Sequence, residues 1–197
     1  MGRWGKIPAG LKASKSVGFL TRLRGDRRGV SAVEFALIAP VMIAFYFGLA
    51  EFCQGYMAQK RSAHTASAVA DLVAQSTGTV SKAEIADIFG IGALILKPFT
   101  STGLTQRISS VTRNSSGVAK VDWSQGKGIT ALTPKATVTT IPADMIANGE
   151  SLIMTETTYD YISPIDYVMP RTTKFKSVFY LRPRRVNTVL CSDCPTS

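Results

Sequence analysis

At 197 residues, 45% of them hydrophobic, the chain is long enough for one domain with a real core beside an apolar helix. Its formal net charge of +10 has the look of a nucleic-acid binder, but the distribution excludes that reading. Residues 1–29 carry eight basic side chains against Asp26 alone, and the other 168 residues carry 15 basic against 12 acidic, so a leader of +7 precedes a chain of only +3.

Residues 2–23 mix basic and small side chains with Trp4 and Phe19. Residues 16–24 have the makings of a loose amphipathic helix on a membrane surface, within a leader expected to be mostly disordered. Arg27 and Arg28 abut an apolar run, and the positive-inside rule keeps such a flank in the cytoplasm while the chain beyond the run is exported. Anionic headgroups would hold the leader against the membrane face.

From Phe35 to Ala50 no residue is charged, and 30–50 supplies the roughly 20 apolar residues that a hydrocarbon core of about 30 Å demands. Glu34 is the defect in this segment. An acid in hydrocarbon costs on the order of 2.5–3.5 kcal/mol even on the lenient insertion scale, so such residues face a partner. A cut between Gly29 and Val30 would make one, because a new α-amino group has a pKa of about 7.7–8.0 and is largely cationic at neutral pH. In an assembled bundle the amine of one subunit would meet Glu34 of a neighbour and fix axial register. The plainer reading puts Glu34 at the interface of an ordinary signal anchor, its side chain reaching toward the headgroups.

Gly29, then Val30-Ser31-Ala32-Val33, then Glu34-Phe35 and an apolar helix, resembles the class III signal of type IV prepilins. More narrowly, RRGVSAVEFALIAPVM with the small-residue-rich helix behind it resembles the TadE-like pseudopilins of the bacterial Tad (tight adherence, Flp) pilus system, over about residues 24–75. The C-terminal FYLRPRR fits the same picture. The resemblance implies that Gly29 precedes the cut of a membrane prepilin peptidase, that Val30 becomes the mature N-terminus, and that Glu34 is the family's characteristic acid. Phe35 stands where the major pilins of this system tend to carry tyrosine. With Pro40 and a soluble domain of roughly 120 residues, it implies a minor pseudopilin rather than the main filament subunit. The implied partners are the prepilin peptidase, other pilins and pseudopilins and the inner-membrane assembly platform, and the implied role is pilus biogenesis, secretion and adherence.

Two other schemes fit the same segment. It has the n-region and apolar h-region of a secretory signal, with Gly48 and Ala50 ahead of a cut before Glu51; against this, the apolar run is long and Glu34 is out of place. Alternatively the chain stays uncut, as a signal-anchored periplasmic domain that binds or senses a ligand.

Beyond the apolar run, residues 57–76 have no glycine or proline and are full of alanine, so one helix is expected over 30–75. Pro40 would be tolerated as a kink. Ala58, Ser62, Thr65 and Ala66 read as a close-packing face, either for another subunit or for the chain's own domain. Residues 76–79 break the helix. Ser81 with Glu84 is a capping-box pattern opening a second helix over 82–96, stopped by Pro98.

After Ser101 the texture turns to alternation and turns. Strands are expected at 104–112 and 119–123, with another candidate at 135–141, separated by turn-rich runs at 114–117 and 125–128. Residues 151–161 and 172–181, rich in threonine and aromatics, are the strongest strands. Residues 142–148 read as a short helical turn, and 163–170 as a surface connection. Tyr159, Tyr161, Tyr167 and Tyr180 read as half-buried sheet aromatics before a binding patch.

Cys191 and Cys194 form C-x-x-C, and an exported compartment favours a disulfide between them; two ligands alone do not close a zinc site. Cys53 is left over, with a buried free thiol as its expected state. No catalytic set stands out: His64 is the single histidine, there is no nucleophile elbow, and Gly90-Ile91-Gly92 lacks the third glycine and preceding strand of a phosphate loop. No cofactor or metal is implied. The short basic run 182–185 reads as a solvated strand end. The expected class is α+β: a leader at 1–29 that is removed, a membrane helix at 30–56, and an exported pilin-like domain at 57–197 with a second helix and an antiparallel sheet of about four strands.

Overall fold

The computed structural model describes residues 29–164 and 169–195; the leader and Tyr167 lie outside the described residues. Two compact units divide between Tyr46 and Phe47. Helix α1, Val30–Ala74, begins in the first and ends in the second.

In the first unit, residues 30–46 are helical throughout, with Pro40 inside the helix. Their large side chains stand exposed: Phe35 is 72% accessible, Leu37 71% and Phe45 65%. An unburied helix that is apolar on all sides has no stable place in water. A bilayer accepts it because nearly all of its backbone bonds close within the segment. By length and composition α1 can cross a membrane once.

In the second unit a four-stranded sheet is built from β2, Leu104–Arg113, β3, Ala119–Lys127, β4, Ser151–Ile162, and β5, Thr172–Leu181. Its order is β3-β2-β4-β5, antiparallel throughout. The turn between β2 and β3 is set by Asn114, whose side chain accepts from the Val118 amide at 2.8 Å, and by Gly117 at φ 76°. Helix α2, Lys82–Ile95, starts on a complete capping box: Ser81 Oγ accepts from the Glu84 amide at 3.2 Å and Glu84 Oε2 accepts from the Ser81 amide at 2.7 Å.

Alternation along the strands gives the sheet two buried faces. One takes the second half of α1 together with α2, packing Val69, Val73, Ile85 and Phe89 on Ile108, Trp123 and Ile153. The opposite face packs Val111, Val121, Leu152 and Met154 beneath Ile141 and Ile146 of the long β3–β4 connection. A third cluster, of Ala58, Leu96, Leu104, Tyr159 and Tyr161, fills the end of the sheet where α1 enters the unit.

Three expectations are corrected here. Residues 135–141 are not a strand. The segment bonds to β3 through the amides of Lys135, Val121 and Val138, but Pro134 has no amide and Lys135 sits at φ 63°, which leaves a single bridge between Lys120 and Thr137. The run 125–128 is largely strand, since β3 continues to Lys127. Thr79–Val80 (β1), just past the expected break at 76–79, and Leu190–Cys191 (β6), for which no strand was expected, pair in parallel as a small second sheet.

That pairing returns the C-terminal segment to the ends of both helices. The Arg184 amide donates to Ala74 O at 2.9 Å, capping α1, and the Lys82 amide donates to Asp193 Oδ1 at 2.8 Å. Trp123 Nε1 donates to Val189 O at 2.8 Å, and Cys191 and Cys194 are joined as a disulfide with their Cα atoms 5.4 Å apart. The run 182–185 is not simply solvated. Arg182 pairs with Glu150 at 3.1 Å, and Arg184 with Asp71 at 2.5 Å.

Candidate functional site: the N-terminal helix and its junction

Gly29 is in 3-10 conformation immediately before α1, and a side chain there would meet nothing within 4 Å. Val30 is the first α-helical residue, half exposed; Glu34 and Phe35 are exposed. Val30 and Glu34 stand one turn apart on the same helical face. The boundary thus carries a small, open residue, and the Val30 backbone nitrogen lies one turn from the Glu34 position on the same row.

Further along, burial selects one face of α1. Glu51, Gly55, Ala58, Ser62, Thr65, Ala66, Val69, Ala70 and Val73 are buried at intervals of three and four, pressed on the domain. The small-residue face that could have served another subunit is used internally. Thr157 Oγ1 donates to Ser62 O at 3.3 Å, and Thr65 Oγ1 to Gly92 O at 3.2 Å. Small side chains are needed because α2 comes close: a Cβ on Gly92 would lie 3.0 Å from both Thr65 Cγ2 and Val69 Cγ2.

Glu51 was missed by sequence reasoning, which weighed it only as the residue after an alternative cut. It is fully buried and accepts a hydrogen bond from Ser163 Oγ at the end of β4. Tyr161 lies beside it, edge-on to Phe99 with ring centroids 5.9 Å apart. Burial pushes the Tyr161 phenol above its ordinary value, and the Glu51 charge adds to this. The signal was present in the sequence: Glu51 falls on the same three-and-four rhythm as Gly55 and Ala58. This arrangement fastens the helix to the strand end.

Cys53 corrects another expectation, since it is exposed as a free thiol. It is two residues, about 200°, round the helix from buried Glu51. Of the four tyrosines, Tyr159 and Tyr161 are buried and Tyr180 half-buried, its hydroxyl donating to Thr140 O at 3.3 Å. Cys191, Asp193 and Cys194 bring potential metal-binding atoms within 4.8 Å of one another. The disulfide removes both thiolates, and Asp193 is occupied at the start of α2. His64 is exposed, with Tyr56, Met57, Lys60 and Arg61 lining an open depression of about 350 Å³ around it.

The family model described as TadE-like protein matches residues 29–71. Residues 29–71 are a TadE-like segment. It opens on Gly29, takes in the apolar run with Glu34, and closes three residues before α1 ends. The TadE-like match therefore spans the site residues of the helix, and the sheet lies beyond it. No curated protein and no solved structure matches the chain.

Proposed function

We propose that the chain is a minor pseudopilin of a Tad-type pilus, a structural assembly protein that catalyses no reaction of its own. It is made as a membrane-inserted precursor, cut by a prepilin peptidase between Gly29 and Val30, and held by one span, with residues 57–197 on the exported side. The observation that carries this reading is a coincidence of three boundaries: the TadE-like segment opens at Gly29, α1 opens at Val30, and the apolar side chains after it are exposed.

The packing supports a division of labour along α1. From Glu51 onward its small-residue face is spent on the chain's own sheet, so lateral contact with other pilins falls to the exposed apolar residues before it. There the Val30 amine of one subunit and Glu34 of the next set register, and the exported domain presents its surface to other pilus proteins and the assembly platform. Glu34→Ala is expected to leave membrane insertion intact and to abolish or strongly reduce co-isolation with the other pilins. The measurement is carbonate extraction beside crosslinking and pilus counting, and normal pilus formation by this variant would sink the register role.

A further inference from the structure

On α1 the face opposite the domain changes character along its length. Leu49, Phe52, Tyr56 and Met57 are exposed, and Lys60, Arg61 and His64, also exposed, come next on the same side. Between Phe47 and Ala70 the single carboxylate of α1 is Glu51, buried and bonded to Ser163. This face is apolar at its foot and aromatic in the middle, and above that it carries the cations Lys60 and Arg61 beside His64, with Asp71, paired to Arg184, two turns further on.

Two geometric facts tie the cations to the aromatic level. Helical side chains lean toward the N-terminus of their helix, here the end that carries the apolar run. Lys60 shows this directly, its ammonium standing 5.3 Å from the centroid of the Tyr56 ring one turn below. Tyr56 is six residues beyond Ala50, about 9 Å along the axis. The interfacial layer outside the hydrocarbon is roughly 5–8 Å deep on each side, and it is where tyrosine collects and lysine snorkels. The backward lean of both side chains brings the Tyr56 ring and the Lys60 ammonium to the outer, phosphate-bearing part of this layer when the apolar run ends in hydrocarbon at Ala50.

We propose that Tyr56, Met57, Lys60, Arg61 and His64 form a docking surface for the headgroup of an anionic phospholipid, which sets the depth at which the helix sits. The lipid phosphate takes the Lys60 ammonium and those Arg61 N–H groups left over after Nη1 has bonded Ile95 O at 3.3 Å. Tyr56 and Met57 meet the upper acyl chain and glycerol. Occupancy by a lipid rests on the single-span reading, and the choice of an anionic headgroup rests on the charge of the face.

The test uses the full chain in nanodiscs holding equal parts phosphatidylglycerol and phosphatidylcholine, with the lipids retained after gas-phase release counted by native mass spectrometry. The leader is cationic in every variant, so the reading is the change in the retained ratio. Lys60→Gln with Arg61→Gln is expected to lower the phosphatidylglycerol preference about threefold, Lys60→Arg to keep it, and Lys120→Gln, an exposed lysine on β3, to leave it unchanged. Circular dichroism confirms that each variant is folded. An unchanged ratio in the double variant, or an equal fall with Lys120→Gln, overturns the headgroup site alone. Failure of the wild-type chain to enter nanodiscs overturns the single-span reading together with it.

Discussion

Gly90 and Gly92 look interchangeable in the sequence FGIGAL, and the structure predicts opposite outcomes for them. Both lie inside α2, where glycine costs about 1 kcal/mol relative to alanine. A methyl group on Gly90 meets nothing within 4 Å, so Gly90→Ala should gain up to about 1 kcal/mol. A methyl group on Gly92 would meet Gln106 Oε1 as well as Thr65 Cγ2 and Val69 Cγ2, the latter two at 3.0 Å. Thr65 and Val69 are fixed in α1, and Gln106 is held by its Nε2 bond to Phe89 O at 3.0 Å. Overpacking of this kind costs about 1–3 kcal/mol, and displacing Gln106 forfeits a further bond of about 1 kcal/mol. Set against the helical gain, Gly92→Ala should lose about 1–3 kcal/mol. The assay is denaturant unfolding of the full chain in detergent micelles on a Trp4→Phe background, leaving buried Trp123 as the one tryptophan to report. Equal stability of Gly90→Ala and Gly92→Ala would refute the close α1–α2–β2 packing on which the reading of the small-residue face depends.

Asp122 supplies a pH test. It is the extra residue of a β-bulge, with Ser110 paired to Trp123 and Val111 to Val121, and its Oδ2 accepts from Thr112 at 2.7 Å and Ser110 at 2.9 Å. Burial raises its carboxyl above the ordinary 3.8, and the bonds from Thr112 and Ser110 pull it part of the way back. A carboxylate raised in the fold binds its proton more tightly folded than unfolded, so its penalty is absent below 3.8 and complete above the folded value. The stability of Asp122→Asn relative to wild type should therefore improve as pH rises through that window, and a difference independent of pH would contradict it. The cysteines give a chemical count: alkylation of the native chain without reductant should add one label, at Cys53, and three after reduction and unfolding, whereas three labels before reduction would exclude the Cys191–Cys194 bond.

What could be read from the sequence is what short-range physics dictates. The Ser81–Glu84 box, the glycine turn at 117 and the threonine-rich run Thr172–Leu181 each carry their own local reason for their structure. Long-range partners carry no such mark. β1 and β6 are two residues each and exist because the C-terminal segment returns to Gly78 and Val80. The candidate strand at 135–141 had the right composition, and Pro134 with the positive φ of Lys135 turned the backbone away. At the N-terminal end, the apolar helix and its start near Val30 were legible because a charge-free run behind a basic flank is a sequence property. Glu51 shared the three-and-four rhythm of Gly55 and Ala58, but that this row is the side of α1 that meets Ser163 and Tyr161, leaving Cys53 exposed, is a long-range fact.

The central claim, that a prepilin peptidase cuts the chain between Gly29 and Val30, is tested most directly by the intact mass and N-terminal sequence of the protein isolated from its native membrane. The expected result is a chain beginning at Val30, with the cut lost when the peptidase is deleted. A chain beginning at Met1 would make this an uncut anchored protein, a chain beginning at Glu51 would make the apolar helix a discarded secretion signal, and either result would contradict the pseudopilin assignment.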